Sequence, residues 1–494
     1  MGTGDHPRTR THRRDHAHAV TPTLTLSVEA AAITLCAEGA AFSENGDVTG
    51  AISCYGRAVD LAPTVLSLHL MLANAQQIAG RTLDARDTLR TALRVAERPD
   101  AATEFALGTA LVNAGAGADA VSCFQRVRTE FPGDATAVAA LAAALRDAQR
   151  PDDAWREIQA AIRMAPADPV ALLTAAQIRH DLADYTGALV WCDRSLAIRP
   201  DANGARVNRG YLRHLLGDAE GGWRDFESRP LPAPDSAARL WRSESLQGQS
   251  ILLIGEQGAG DQFQFLRFVH HTALQSAARV VVSCQAEAVT LLRECGYDAV
   301  SRDDRIETDW YVPMLSLPLL LGVNAEWTSG SRAYITLPDA PMRKPWRTSR
   351  VGLVWAGNPA HRNDAARSIP SPQLHDLLDT HPEIAFVSLQ HGAHADEMPG
   401  SALEPLATGD WLATARQLQT LELLISVDTG IAHLAGAMGL PVWLMLPQVP
   451  DWRWGTSGSS TPWYSSMRLF RQSVRGDWQR VLTDVSAALS TAAV

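Results

Sequence analysis

A period of 34 residues constrains the first half of this chain more tightly than any other feature. Ala51, Ala85, Ala120, Ala154 and Ala188 recur at spacings of 34, 35, 34 and 34 residues. Four positions after each stands a larger or equivalent side chain: Tyr55, Leu89, Phe124, Ile158 and Cys192. Three further on come Ala58, Ala92, Val127, Ala161 and Ser195, and five beyond those are Pro63, Pro132, Pro166 and Pro200. Small residues also recur earlier in the unit, at Gly39, Ala73, Gly108 and Gly210. A small residue lets two helices cross closely, the larger one fills the space beside it, and proline ends the second helix. The period therefore predicts tandem helix pairs over residues 28–228. Glu97 replaces the proline in the second unit, and a sixth, degenerate unit runs through Gly210, Tyr211, Trp223 and Phe226.

This period and residue pattern resemble the tetratricopeptide repeat. The resemblance implies a concave helical surface suited to extended peptides or protein partners. A spacer or dimerisation device fits the same pattern, because a repeat fold fixes shape rather than ligand.

The rest of the chain divides by composition. Its 494 residues suggest about three domains. A content of 46% hydrophobic and 20% charged residues supplies real cores. A net charge of −10 argues against a nucleic-acid binder. No apolar run approaches the ~18 residues of a transmembrane segment. Residues 1–27 are Arg- and His-rich and read as a disordered tail without a secretory signal. The six cysteines are scattered, which fits a cytoplasmic protein without a disulfide framework. Residues 229–247 are Pro- and Ser-rich and read as a linker. Beyond them, Ile251–Ile254, Val280–Cys284, Tyr311–Met314, Val351–Trp355, Ala385–Leu389, Leu423–Val427 and Val442–Leu446 read as buried parallel strands alternating with helices. The expected class is thus an α-helical solenoid followed by an α/β region. The Pro-rich stretch 338–350 would separate two Rossmann-like halves, 248–345 and 346–494.

Four loops in the α/β region carry candidate chemistry. Gln257, Gly258, Gly260 and Asp261 follow the first strand, where a glycine-rich turn admits a ligand to the backbone. The turn lacks GxGxxG, which disfavours a dinucleotide. Asp261 reads either as a general base or as a helix cap. Asp428, Thr429, Gly430 and His433 follow a later strand, with Thr429 and Gly430 at a helix N-terminus suited to a pyrophosphate. His433 reads either as a ligand contact or as a packed histidine. Gly357 and Asn358 leave the first strand of the second half, and Arg362 and Arg367 follow as candidate phosphate partners. For both arginines, a solvated polar loop is the alternative. Trp452 and Trp454 read as exposed rings for stacking on a sugar or base, or as rings packed against the other half. His391, His394, Asp396 and Glu397 imitate a metal cluster but lack a further ligand and read as a solvated loop.

Residues 241–484 resemble bacterial tetratricopeptide-linked glycosyltransferases related to the heptosyltransferase family (glycosyltransferase family 9). The resembling stretches are GEQGAGDQFQFLRF, VGLVWAGNPAHRNDAARSIP, FVSLQ, SVDTGIAHLAGAMGLPVW and DWRW…PWYSSMRLFRQ. This implies a GT-B fold, two Rossmann-like domains across a cleft, and inverting sugar transfer without metal or cofactor. It places Asp261 as the base, and Asp428, Thr429, Gly430, His433 and Arg367 at the nucleotide-sugar donor. The turn reads GAGD rather than GLGD, and the first half is shorter than in typical heptosyltransferases. The acceptor would be a protein, peptide or glycan hydroxyl. A non-catalytic tetratricopeptide scaffold with a degenerate transferase-like domain is the alternative.

Overall fold

The computed structural model describes residues 22–96, 99–323, 333–338, 349–361, 363–397, 403 and 410–492. Arg362, Glu97, residues 1–21 and most of 338–350 lie outside the described residues. The chain forms two compact units, Met1–Asp119 and Ala120–Val494.

In the first unit the helices Pro22–Glu44, Val48–Leu61, Leu66–Ile78, Thr82–Val95 and Ala101–Asn113 follow one another. The first begins at Pro22, inside the stretch expected to be tail. The repeat positions do what their sizes require. Ala51 and Ala85 are fully buried, and Tyr55 and Leu89 fill the space beside them. A Cβ on Gly39 would lie 2.6 Å from the Tyr55 ring, so that crossing admits only glycine without a shift. Aspartates punctuate the helix starts: Asp47 accepts from Gly50 N–H and Asp100 from Thr103 N–H.

The second unit contains further helix pairs: Ala135–Asp147 with Pro151–Met164, Pro169–Asp181 with Tyr185–Ile198, and Asn203–Leu215 with Ala219–Phe226. Ala120, Ala154 and Ala188 are again fully buried. Gly210 meets Phe226 and the Gly222 carbonyl at 2.8 and 2.9 Å from its missing Cβ, which holds the degenerate sixth pair together.

Two parallel five-stranded sheets follow. The first contains β1 (Arg239–Leu240), β2 (Ser250–Ile254), β3 (Arg279–Cys284), β4 (Asp298–Ser301) and β5 (Trp310–Pro313), in the order β1-β5-β2-β3-β4. The second contains β6 (Arg350–Val354), β7 (Ala385–Ser388), β8 (Leu423–Val427), β9 (Val442–Leu446) and β10 (Met467–Arg471), in the order β10-β9-β8-β6-β7. Their apolar runs are buried on both faces, as parallel strands covered by helices require. Leu253 pairs with both Val282 and Val312, and Leu424 with both Gly352 and Val442. Each sheet is Rossmann-like.

The stretch read as a linker is structural. Arg239–Leu240 adds an edge strand to the first sheet, and Trp241 beside it is buried. Arg229 is also buried, with its guanidinium on both oxygens of Glu256 at 2.8 and 2.9 Å. Proline and serine signal a break in helical period, but they do not exclude a two-residue edge strand.

Candidate functional site

In an open parallel sheet, ligands bind beyond the carboxyl ends of the strands, where the strand order reverses. In the first sheet β2 lies between β3 and β5, so the reversal falls at the turn after Ile254. In the second, β6 lies between β7 and β8, so it falls between the loops after Val354 and Val427. These are the loops that carry Gln257–Asp261, Gly357–Arg367 and Asp428–His433.

The first and last of them touch. Helix Ala259–Phe265 packs on helix Gly430–Ala437. A Cβ on Gly260 would lie 2.9 Å from His433 Cδ2 and 3.2 Å from Gly430 Cα. A single apolar core runs from Phe263 and Phe265 through Ile431 and Leu434. The expected cleft between facing halves is therefore closed at this point by helix-on-helix packing, because glycines at 260 and 430 let the backbones meet. Around this contact Gln257, Gly258 and Asn358 are exposed, and Asp261, Thr429 and Gly430 are half-buried.

Asp261 occupies the third position of its helix and accepts from Gly258 N–H at 3.0 Å. Its other oxygen is paired with the Arg453 guanidinium. Arg453 is buried, and it also donates to Gln264 Oε1 at 2.6 Å and Asp451 Oδ1 at 2.8 Å. Asp451 accepts in turn from the Tyr211 hydroxyl of the last repeat at 3.0 Å.

Thr429 begins helix Gly430–Ala437 without capping it through its side chain. The leading N–H groups of that helix thus lack a local side-chain acceptor. Arg367 donates to the Asp428 carbonyl at 3.1 Å and pairs with Asp364 at 3.3 Å. It fills the space over Gly357, whose Cβ would lie 2.5 Å from Asp364 Oδ1. Asn358 Oδ1 accepts from Ala360 N–H at 2.9 Å and shapes the same turn. Burial opposes the charge of Asp428. His433, 3.7 Å away, the Trp454 indole N–H at 2.8 Å and Arg367 outweigh it and hold this carboxyl down at about 2. His433 is buried, bonded to the Tyr464 hydroxyl at 2.9 Å and stacked on Trp454.

The two tryptophans are not exposed. Trp452 is 5% and Trp454 2% accessible. Trp452 packs on His214, Trp223 and Phe226 of the last repeat pair, and Trp454 packs inside the site. Neither presents a free face for stacking. Burial and nearby Arg453 push His214 down to about 3. His394 bonds Glu397 at 3.1 Å, and among the described residues no group of three or more His, Cys, Asp or Glu is placed to hold a metal ion.

Three contributors escaped the sequence reading. Arg453 is the cation on Asp261, and its signal was one arginine between two tryptophans. Gln390 fixes the turn after β6 by accepting from Trp355 and Ala356 N–H at 3.1 and 3.0 Å. Trp411 covers Gly430, 3.1 Å from its absent Cβ. A chamber of about 530 Å³ lies farther along, between the repeat helices that carry Gln177, His180 and Asn208 and the loops after β6, β9 and β10.

The repeat region matches the tetratricopeptide repeat family over residues 36–102, 70–135, 105–169 and 140–203. Residues 36–203 are tetratricopeptide repeats. Repeats of this kind build protein-interaction surfaces. Protein FlbA of Caulobacter vibrioides (strain ATCC 19089 / CIP 103742 / CB 15) is 24% identical over 455 residues, covering 75% of each chain. Among solved structures, YrrB, "a TPR protein with an unusual peptide-binding site", is 22% identical, with a TM-score of 0.29 over 38% of this chain and 96% of its own. A tetratricopeptide repeat protein of Parabacteroides merdae ATCC 43184 is 16% identical, with a TM-score of 0.33 over 41% of this chain and 82% of its own. Among the described residues no helix is long and apolar enough to cross a membrane.

Proposed function

We propose that the α/β region is an inverting glycosyltransferase of GT-B type, which moves a sugar from a nucleotide-sugar to a hydroxyl acceptor recruited by the repeats. The observation that supports it best is the meeting of two strand-end turns, Gly258–Asp261 and Asp428–Gly430, each at the reversal point of its own sheet. On this reading the donor diphosphate lies at the uncapped N-terminus of helix Gly430–Ala437, beside Arg367. Asp261 takes the proton from the acceptor hydroxyl as its oxygen attacks the anomeric carbon. The bond to the leaving phosphate breaks, and backbone N–H groups with a guanidinium stabilise the charge that builds there.

The test is Asp261→Asn on the full chain, assayed against UDP-, GDP-, ADP- and dTDP-sugars. Loss of a positioned base lowers turnover by about 100- to 10,000-fold, while donor binding persists. Near-normal transfer by the variant removes Asp261 from the role.

One observation favours a second reading. Asp261 is already engaged by Arg453 and by the Gly258 N–H, as a structural residue would be. A scaffold with a transferase-like relic would bind a nucleotide-sugar without hydrolysing or transferring it.

A further inference from the structure

Among the described residues, four aspartates stand around the two turns. Asp261, Asp364, Asp428 and Asp451 face Arg367 and Arg453, and each guanidinium is already paired with a carboxylate. An incoming diphosphate meets guanidinium groups that are already engaged, and it competes with a carboxylate for each of them.

Arg453 is the one placed to change partner. Its loop and its partner Asp261 are each held beside the start of helix Gly430–Ala437 by a separate contact. Trp454, the next residue, donates to the Asp428 carboxylate at 2.8 Å. Gly260, next to Arg453's partner Asp261, abuts Gly430 backbone to backbone, its N lying 3.4 Å from the position a Cβ on Gly430 would take. The two carboxylates on Arg453 are not equivalent. Asp451 rides on the same loop, accepts the Arg453 backbone N–H at 3.1 Å and is anchored by Tyr211 at 3.0 Å. Asp261 belongs to the other half, and its remaining tie is a single bond from Gly258 N–H. Releasing Asp261 leaves Arg453 oriented by Asp451 and Gln264.

We propose that Arg453 is a diphosphate-binding residue that holds Asp261 while the site is empty and passes to the donor diphosphate when it arrives, freeing the Asp261 carboxylate for the acceptor. The inference rests on the donor position given above. It adds an order to the reaction: the donor binds first, and its binding unmasks the base. An acceptor that arrived first would find the carboxylate occupied.

Competition for one guanidinium makes the prediction specific. Asp261→Asn removes the competing charge, so the full chain binds inorganic pyrophosphate about tenfold more tightly than the parent by titration calorimetry. Arg453→Gln binds it about tenfold more weakly. If Arg453→Gln fails to fold, Asp261→Asn alone decides. Unchanged or weaker pyrophosphate binding by Asp261→Asn overturns the proposal, as does a parent chain that does not bind pyrophosphate. The transferase reading is judged separately with the four nucleotide-sugars. Tighter pyrophosphate binding without turnover of any of them defeats sugar transfer and leaves the Arg453 assignment standing. Turnover without the tightening does the reverse.

Discussion

Gly260→Ala tests the contact on which the site depends. Gly260 lies in the first turn of helix Ala259–Phe265, where alanine is intrinsically better than glycine by about 1 kcal/mol. Propensity alone therefore predicts stabilisation. Packing predicts the opposite. The added methyl would sit 2.9 Å from His433 Cδ2 and 3.2 Å from Gly430 Cα. His433 cannot swing aside, because the Tyr464 hydroxyl holds its Nδ1 at 2.9 Å and Trp454 stacks on its face. Gly430 Cα is backbone at a helix start. Overpacking of this kind costs about 1–3 kcal/mol, so the net change is a loss of roughly 0–2 kcal/mol once the helical gain of about 1 kcal/mol is subtracted. Gly258→Ala is the control, since its Cβ would meet only Asp261 Oδ2 at 3.5 Å. Urea denaturation of both variants, followed by tryptophan fluorescence because Trp454 stacks on His433, should rank Gly260→Ala below Gly258→Ala. If Gly260→Ala exceeds the parent in stability, or is no less stable than Gly258→Ala, the two turns do not meet as described.

Acid should weaken the last repeat pair. The folded-state value of about 3 for His214 against an ordinary 6.5 means that the unfolded chain binds the extra proton between those limits. The stabilisation is complete above pH 6.5 and is lost as pH falls toward 3. His214→Phe, which keeps a ring among Trp223, Phe226 and Trp452, should flatten the slope of stability between about pH 6 and 5 by about 1 kcal/mol per pH unit; an unchanged slope shows that His214 is not buried neutral. Trp452→Ala removes the ring that seats the 451–454 loop on the repeats and should lower stability by about 3–5 kcal/mol in urea denaturation. A loss under about 1 kcal/mol would mean that the loop is held by something else.

The repeats and most strands were legible because each is written in local pattern. A 34-residue recurrence of small and large positions admits one solution, and continuous apolar runs between helical stretches read directly as strands covered on both faces. Three strands escaped for local reasons. β1 is two residues in a Pro- and Ser-rich stretch, β4 reads Asp-Ala-Val-Ser, and β10 carries Arg468 and Arg471 among its apolar residues. Their pairing is supplied by neighbours already in the sheet, which overrides weak intrinsic preference. The polar turns were legible as strand-end loops, since their glycines and helix starts are local features. Their partners were not. Whether Trp452 stacks on a sugar or on His214 depends on a repeat more than two hundred residues earlier, and the loop reads the same either way.

That dependence bears on why the repeats and the α/β region share one chain. The last repeat pair supplies Tyr211 to Asp451 and a ring cage to Trp452, and the loop between these contacts sets Arg453 on Asp261. A repeat array that served only as a tether would need no such seat. Here its final pair helps determine where the guanidinium of the candidate site stands. Deleting residues 28–228 would then remove a wall of the site along with the recruiting surface. Selective loss of protein acceptors, with small acceptors spared, is not the expected outcome. Activity should fall on both, and shorter deletions that stop before Asn203 should separate recruitment from assembly of the site.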